Sequence, residues 1–185
     1  MLLYRVFPWD GSSTGRIAAG PLHVPRERQG SGRHDAPASY GALYCSRQAV
    51  SAVCEAIQFL RGHSLSTPDL RRPGGRMSAL ATLELAEGPS LVDLDDPESL
   101  LARGLRPSRV ATGERDVSQQ VARGVYAEGA AGLSWWSTIE ASWTNLTLFD
   151  ERCRRALTVA DGPIPLTTRS PELLAAAERL GIAVE

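Results

Sequence analysis

The apolar residues of this chain change period along its length, and the changes mark its elements. Leu2 to Phe7 is a short, almost unbroken apolar run and reads as an opening strand. The next two dozen residues, rich in Gly, Ser, Pro and Arg, read as a loop expected to fold over a site. Gly41 to Cys45 reads as a second strand, and Ser46 as the N-cap of a helix from about Arg47 to about Arg61. Along that helix Val50, Val53, Cys54, Ile57 and Leu60 fall on one stripe at helical spacing, the side meant for a core. Ser64 to Gly75 reads as a loop, and its Arg71, Arg72 and Arg76 as solvated surface rather than a phosphate site.

Further on, Met77–Leu85 and Leu91–Leu94 read as strands, and Pro97–Leu105 as a short helix ending near Gly104. Asp116 is placed to cap a helix through about Ala127, with Val117, Val121 and Val125 on one face. Gly132–Trp136 and Asn145–Phe149 read as strands joined by a polar turn. Ser170-Pro171-Glu172 opens a last helix with Pro at its favoured first position, and Gly181 closes it. Strands and helices interleave without regular βαβ alternation, which predicts an α+β fold of small twisted sheets flanked by helices. With no internal repeat and no linker composition, residues 1–185 read as a single domain.

Charge narrows the function classes. The formal net charge is −1, so the chain lacks the positive excess a general nucleic-acid binder needs to displace counterions from phosphates. All of its basic residues apart from histidine are Arg, which codon bias in a GC-rich genome explains. Cys45, Cys54 and Cys153 are odd in number and lack any metal-ligand spacing, so a zinc site is not expected and a reducing, cytoplasmic setting is. The opening residues have neither a basic n-region nor a long apolar run, and no membrane association is expected.

The densest chemistry lies between Gly32 and Leu60. Arg33 sits on a turn, Tyr44 on the strand that follows, and Glu55 on the next helix among small and apolar residues. One cation, one aromatic platform and one carboxylate on adjacent elements suit an anionic substrate with a flat ring, a dinucleotide such as NAD among them. Each residue also has an ordinary reading. An Arg in a turn is commonly surface, a Tyr in an apolar strand is commonly core, and Glu55 lies roughly opposite the apolar stripe.

Arg33, Glu55 and Ser137, in this order and in these contexts, resemble the RES domain family, named for its Arg, Glu and Ser. The matching pieces are Tyr4-Arg5-Val6-Phe7, the Gly-Arg-x-Asp-x-Pro turn at 32–37 before Tyr40-Gly41, and the strand Ala42–Ser46. Others are the helix with Ala52 and Glu55, then Val92-Asp93-Leu94, Ser118-Gln119-Gln120, and Ser137 with Asn145–Phe149 after it. The resemblance spans about residues 1–155 and leaves a C-terminal helix and tail over about 156–185. The chain departs from the family's pattern at His34, where Trp or Phe is usual. It departs again at Trp135 and Trp136, where an aliphatic residue and Pro or Tyr often precede the Ser.

The resemblance implies a fold like that of ADP-ribosyltransferases and an NAD-consuming toxin encoded beside a DNA-binding antitoxin. It implies cleavage of the nicotinamide–ribose bond by hydrolysis or phosphorolysis, with NAD as substrate and no separate cofactor. Phosphate is then a candidate co-substrate, and DNA contact is left to the antitoxin. By the same resemblance Arg33, Glu55 and Ser137 are the catalytic candidates. Arg33, Tyr44, His34 and Ser137 are the substrate-binding candidates. Ser137 is expected to position the ribose rather than attack it, because no Gly-x-Ser-x-Gly elbow surrounds it. Two other outcomes stay open: ADP-ribosyl transfer to a protein, and a catalytically silent NAD-binding domain of the same fold.

Overall fold

The structure is a computed structural model that describes residues 1–72 and 74–185. In chain order its elements are β1 (Leu2–Trp9), β2 (Ala42–Ser46), α1 (Ala49–Ile57), β3 (Ser64–Leu65), β4 (Met77–Leu85) and β5 (Leu91–Asp93). There follow α2 (Pro97–Ala102), α3 (Pro107–Val110), α4 (Arg115–Ala127), β6 (Gly132–Trp136) and β7 (Thr144–Phe149). The chain closes with α5 (Asp150–Cys153), β8 (Leu157–Pro165), α6 (Pro171–Leu180) and β9 (Ala183–Val184). The α+β class expected from the interleaved periods is the one observed. The chain folds as two compact units, Met1–His23 with Cys45–Glu84 and Thr158–Glu185, and Val24–Tyr44 with Leu85–Leu157.

In the first unit β1 pairs antiparallel with β4 along its whole length, from Leu2 opposite Glu84 to Trp9 opposite Met77. On β1's other side Ser46 of β2 stands opposite Tyr4, and β8 lies outside β4. Helix α1 packs on β1 and on α6, burying Val53, Cys54 and Ile57. Ser46 is occupied in the strand ladder, so the helix starts later than expected, with Gln48 at its N-cap. It also tightens into a 3-10 turn at Gln58–Leu60 instead of running on to Arg61. The segment expected to be plain loop holds β3, which runs parallel to β9, and a turn in which the Asp69 carboxylate accepts from the backbone and hydroxyl of Ser66. Arg72 does not simply face water there. It donates to the Ala56 carbonyl and the Ser78 hydroxyl and stacks 5.7 Å over the Phe59 ring.

The second unit orders its strands β5-β6-β7-β2, with β5 parallel and β7 antiparallel to β6. Helix α4 buries Val121, Ala122 and Val125 in a core that includes Leu94, Leu100, Leu133 and Phe149. Its N-cap is Glu114 rather than Asp116, because the Thr112 hydroxyl already accepts the Glu114 N–H and turns the chain two residues earlier. Tyr40, Tyr126 and Phe149 form an aromatic cluster with ring centroids 4.3 to 5.1 Å apart. The early loop is fastened within each unit. Arg5 donates to the Pro21 and His23 carbonyls, and the Gln29 amide exchanges two hydrogen bonds with the backbone of Ala42.

Candidate functional site

Arg33 stands on a turn whose backbone is held from both sides. On the amide side, one oxygen of the buried Asp35 carboxylate accepts the N–H groups of Gly30 at 2.8 Å and Gly32 at 2.7 Å. Its other oxygen accepts the Tyr44 hydroxyl at 2.7 Å, and that hydroxyl accepts the His34 N–H at 2.9 Å. On the carbonyl side, the Gln119 amide donates to Gly30 and Gly32 at 2.9 Å each, and the Ser118 hydroxyl donates to Arg33 at 2.6 Å. Gly32 is required by this closeness. A Cβ there would lie 2.6 and 2.7 Å from the Asp35 oxygens and 2.7 Å from the Tyr44 oxygen.

The half-buried Arg33 guanidinium reaches the end of α3, where one of its nitrogens donates to the carbonyls of Thr112 at 2.6 Å and Val110 at 3.2 Å. These contacts hold the long side chain near one course.

His34 is sealed beneath the turn, 1% exposed. Its Nδ1 pairs with the Thr147 hydroxyl at 2.8 Å, its ring meets Trp135 edge-on at 4.6 Å, and its carbonyl accepts the Tyr40 hydroxyl. Burial, helped by the positive charges of Arg33 and Arg115, pushes its pKa down to about 3. The ring is neutral at physiological pH. Tyr44 is half-buried, its ring stacked 6.5 Å from His34. Burial, then the hydrogen bond to Asp35, raises its pKa, so the phenol stays protonated.

Ser137 follows the last residue of β6 and continues its ladder, its N–H donating to the Trp143 carbonyl at 2.8 Å. Its hydroxyl, buried, accepts the Ile139 N–H at 3.2 Å. Alternation along β6 puts Leu133, Trp135 and Ser137 on one face, with Thr147 and Asn145 opposite the first two. His34 touches Trp135 and Thr147, so the Arg33 turn and Ser137 address the same face of this sheet, with Ser137 about 7 Å beyond Trp135 along the strand.

Four of the five sequence-designated residues, Arg33, His34, Tyr44 and Ser137, therefore share the second unit. Glu55 belongs to the first. It sits half-buried on α1, where one carboxylate oxygen accepts the Gln58 amide at 2.7 Å. Sequence reasoning gave no role to Asp35, Ser118, Gln119 or Thr147, all of which hold the turn or the ring beneath it. All four lie inside pieces that carry the family resemblance, Asp35 in the 32–37 turn, Ser118 and Gln119 in Ser118-Gln119-Gln120 and Thr147 in Asn145–Phe149, but only the fold shows what each one holds.

The RES domain family model matches residues 2–168. A chain of the crystallised M. tuberculosis MbcT–MbcA toxin–antitoxin complex is similar in fold, with a TM-score of 0.68 at 17% identity. The similarity covers 96% of this chain and 88% of that one. None of the curated proteins matches by sequence.

Proposed function

The chain belongs to the RES domain family, and we propose that it is an NAD-degrading toxin held in check by a cognate antitoxin. The observation that carries this reading is the family match over residues 2–168, a span that contains Arg33, Glu55 and Ser137 in the family's order. The likeness to a chain of a toxin–antitoxin complex and the bracing of the Arg33 turn by Asp35, Ser118 and Gln119 support it.

The reaction breaks the bond between the nicotinamide nitrogen and C1′ of the ribose. Nicotinamide leaves with the bonding pair, and the ribose carbon takes on oxocarbenium character before an acceptor oxygen closes on it. Glu55 supplies the carboxylate that offsets this charge, an interaction worth several kcal/mol, roughly the size measured for one well-placed polar group. Arg33 holds the pyrophosphate through its fork. Tyr44 offers a ring face, and Ser137 hydrogen-bonds the ribose. His34, buried and neutral, shapes the wall behind Arg33 in place of the family's usual Trp or Phe. Water as acceptor yields ADP-ribose and a proton, and phosphate yields its phosphorylated counterpart.

Purified protein incubated with NAD, with and without phosphate, tests the reading through nicotinamide release and the co-product. Glu55→Ala and Arg33→Ala are expected to reduce release at least 100-fold, in line with losing one strong electrostatic contact. Dependence on phosphate would select phosphorolysis. Label appearing on added protein would select ADP-ribosyl transfer. NAD binding without release would select the silent domain, and release unaffected by either substitution would sink the site assignment.

A further inference from the structure

The geometry points to Asp35 as a positioning residue that sets the Arg33 guanidinium for the dinucleotide's pyrophosphate, an inference that rests on the NAD reading above. Asp35 is none of the three residues that name the family. Its carboxylate is nonetheless buried, and burying a carboxylate is costly unless strong donors meet it. The donors it meets are the amides of Gly30 and Gly32 and the Tyr44 hydroxyl. Two of these belong to the turn that carries Arg33, and the third, Tyr44, accepts the backbone N–H of the very next residue, His34. Asp35 thus fixes the backbone on both sides of Arg33 without touching the guanidinium's own partners at Val110 and Thr112.

The contribution of such a residue lies in placement. A turn that relaxes loosens the grip on the bound dinucleotide, a loss read in KM rather than in the chemical step. Asparagine is the informative substitution, because it keeps the size and removes the charge. Its NH2 group must face either the two turn amides or the Tyr44 hydroxyl. Toward the amides it opposes donor to donor. Toward Tyr44 it offers a hydrogen to an oxygen that already accepts one, and leaves the phenol proton without its acceptor.

Two measurements decide the matter. Initial-rate kinetics of NAD consumption are compared for the parent, Asp35→Asn, Arg33→Lys and the double variant. Asp35→Asn is expected to raise KM about tenfold, the effect of losing a charge-assisted contact, with kcat changed less than about twofold. In the Arg33→Lys background, whose ammonium lacks the fork, the same substitution is expected to add almost nothing. An unchanged KM, or a tenfold rise repeated in full beside Arg33→Lys, would overturn the proposal and leave Asp35 a purely structural residue. Independently of NAD, amide hydrogen exchange in Asp35→Asn is expected to speed at least tenfold at Gly30 and Gly32, while Leu146 and Leu148 of β7 keep their protection. Unaltered exchange at the two glycines would also overturn it. If the parent consumes no NAD, the functional reading fails, and the exchange measurement still decides whether Asp35 holds the turn.

Discussion

A histidine enclosed by Thr147, Trp135 and Tyr44 has consequences for how the protein answers acid. Its pKa is about 3 in the fold against an ordinary 6.5, so between those values the unfolded chain binds a proton that the folded chain refuses. Stability therefore falls as pH drops through about 6.5, by up to about 1.4 kcal/mol per pH unit from this group, until the folded ring itself titrates near 3. Asp10 and Asp69, whose carboxyls are held low by hydrogen bonds from Ser13 and Ser66, add losses at the acid end that do not involve His34. The variant His34→Phe restores a ring of the kind usual in the family and is expected to flatten the pH dependence between 6.5 and 4. Urea unfolding at intervals across that range checks it, and parallel curves for parent and variant would show that His34 is not buried neutral. At this scale Arg33 stood out through the Gly-Arg-x-Asp-x-Pro turn taken together with the distant pieces of the family resemblance, since an Arg in a turn is by itself an ordinary surface residue. The neutrality of His34 did not, because Thr147 lies 113 residues away and only the folded sheet brings it to the ring.

Elements with a strong apolar period and clear end signals could be read directly. Helix α6 is the clearest case: Ser170 and Pro171 open it, and Gly181 ends it in a left-handed conformation with φ of +67°. Its closing bonds run from the Gly181 N–H to Ala177 and Glu178 and from the Ile182 N–H to Ala177 at 2.8 Å. Gly181→Ala keeps these donors but places a Cβ in a backbone region unfavourable to L-residues, which costs about 1 kcal/mol. A fall of about 2–4 °C in Tm is expected for a chain of this size, and an unshifted Tm would mean that this helix end does not need its glycine. Strand β8 gave no such signal. Only Leu157 in it is buried, and Asp161-Gly162-Pro163 interrupts any alternation, as suits a strand at the edge of its sheet. The late start of α1 was hidden for a related reason: whether Ser46 caps a helix or ends a strand is settled by its pairing with Tyr4, forty-two residues earlier.

On the scale of the whole molecule, the class of fold followed from the order of periods, while chemistry depended on a few polar residues whose meaning lies in combination. A net charge of −1 gives the chain no general hold on nucleic acid, so arrest of growth by this protein is expected to act through a small molecule. Expression without its antitoxin should lower cellular NAD before growth stops, and co-expression of the cognate antitoxin should restore both. Arg33→Ala and Glu55→Ala should be tolerated at matched protein levels, since each removes one charged contact from the proposed reaction. The order of events carries the argument. NAD measured by enzymatic cycling at short intervals after induction separates depletion that causes arrest from depletion that follows it. Arrest at undiminished NAD would leave the toxin reading standing and remove its substrate, whereas both substituted proteins arresting growth like the parent would move the site away from Arg33 and Glu55.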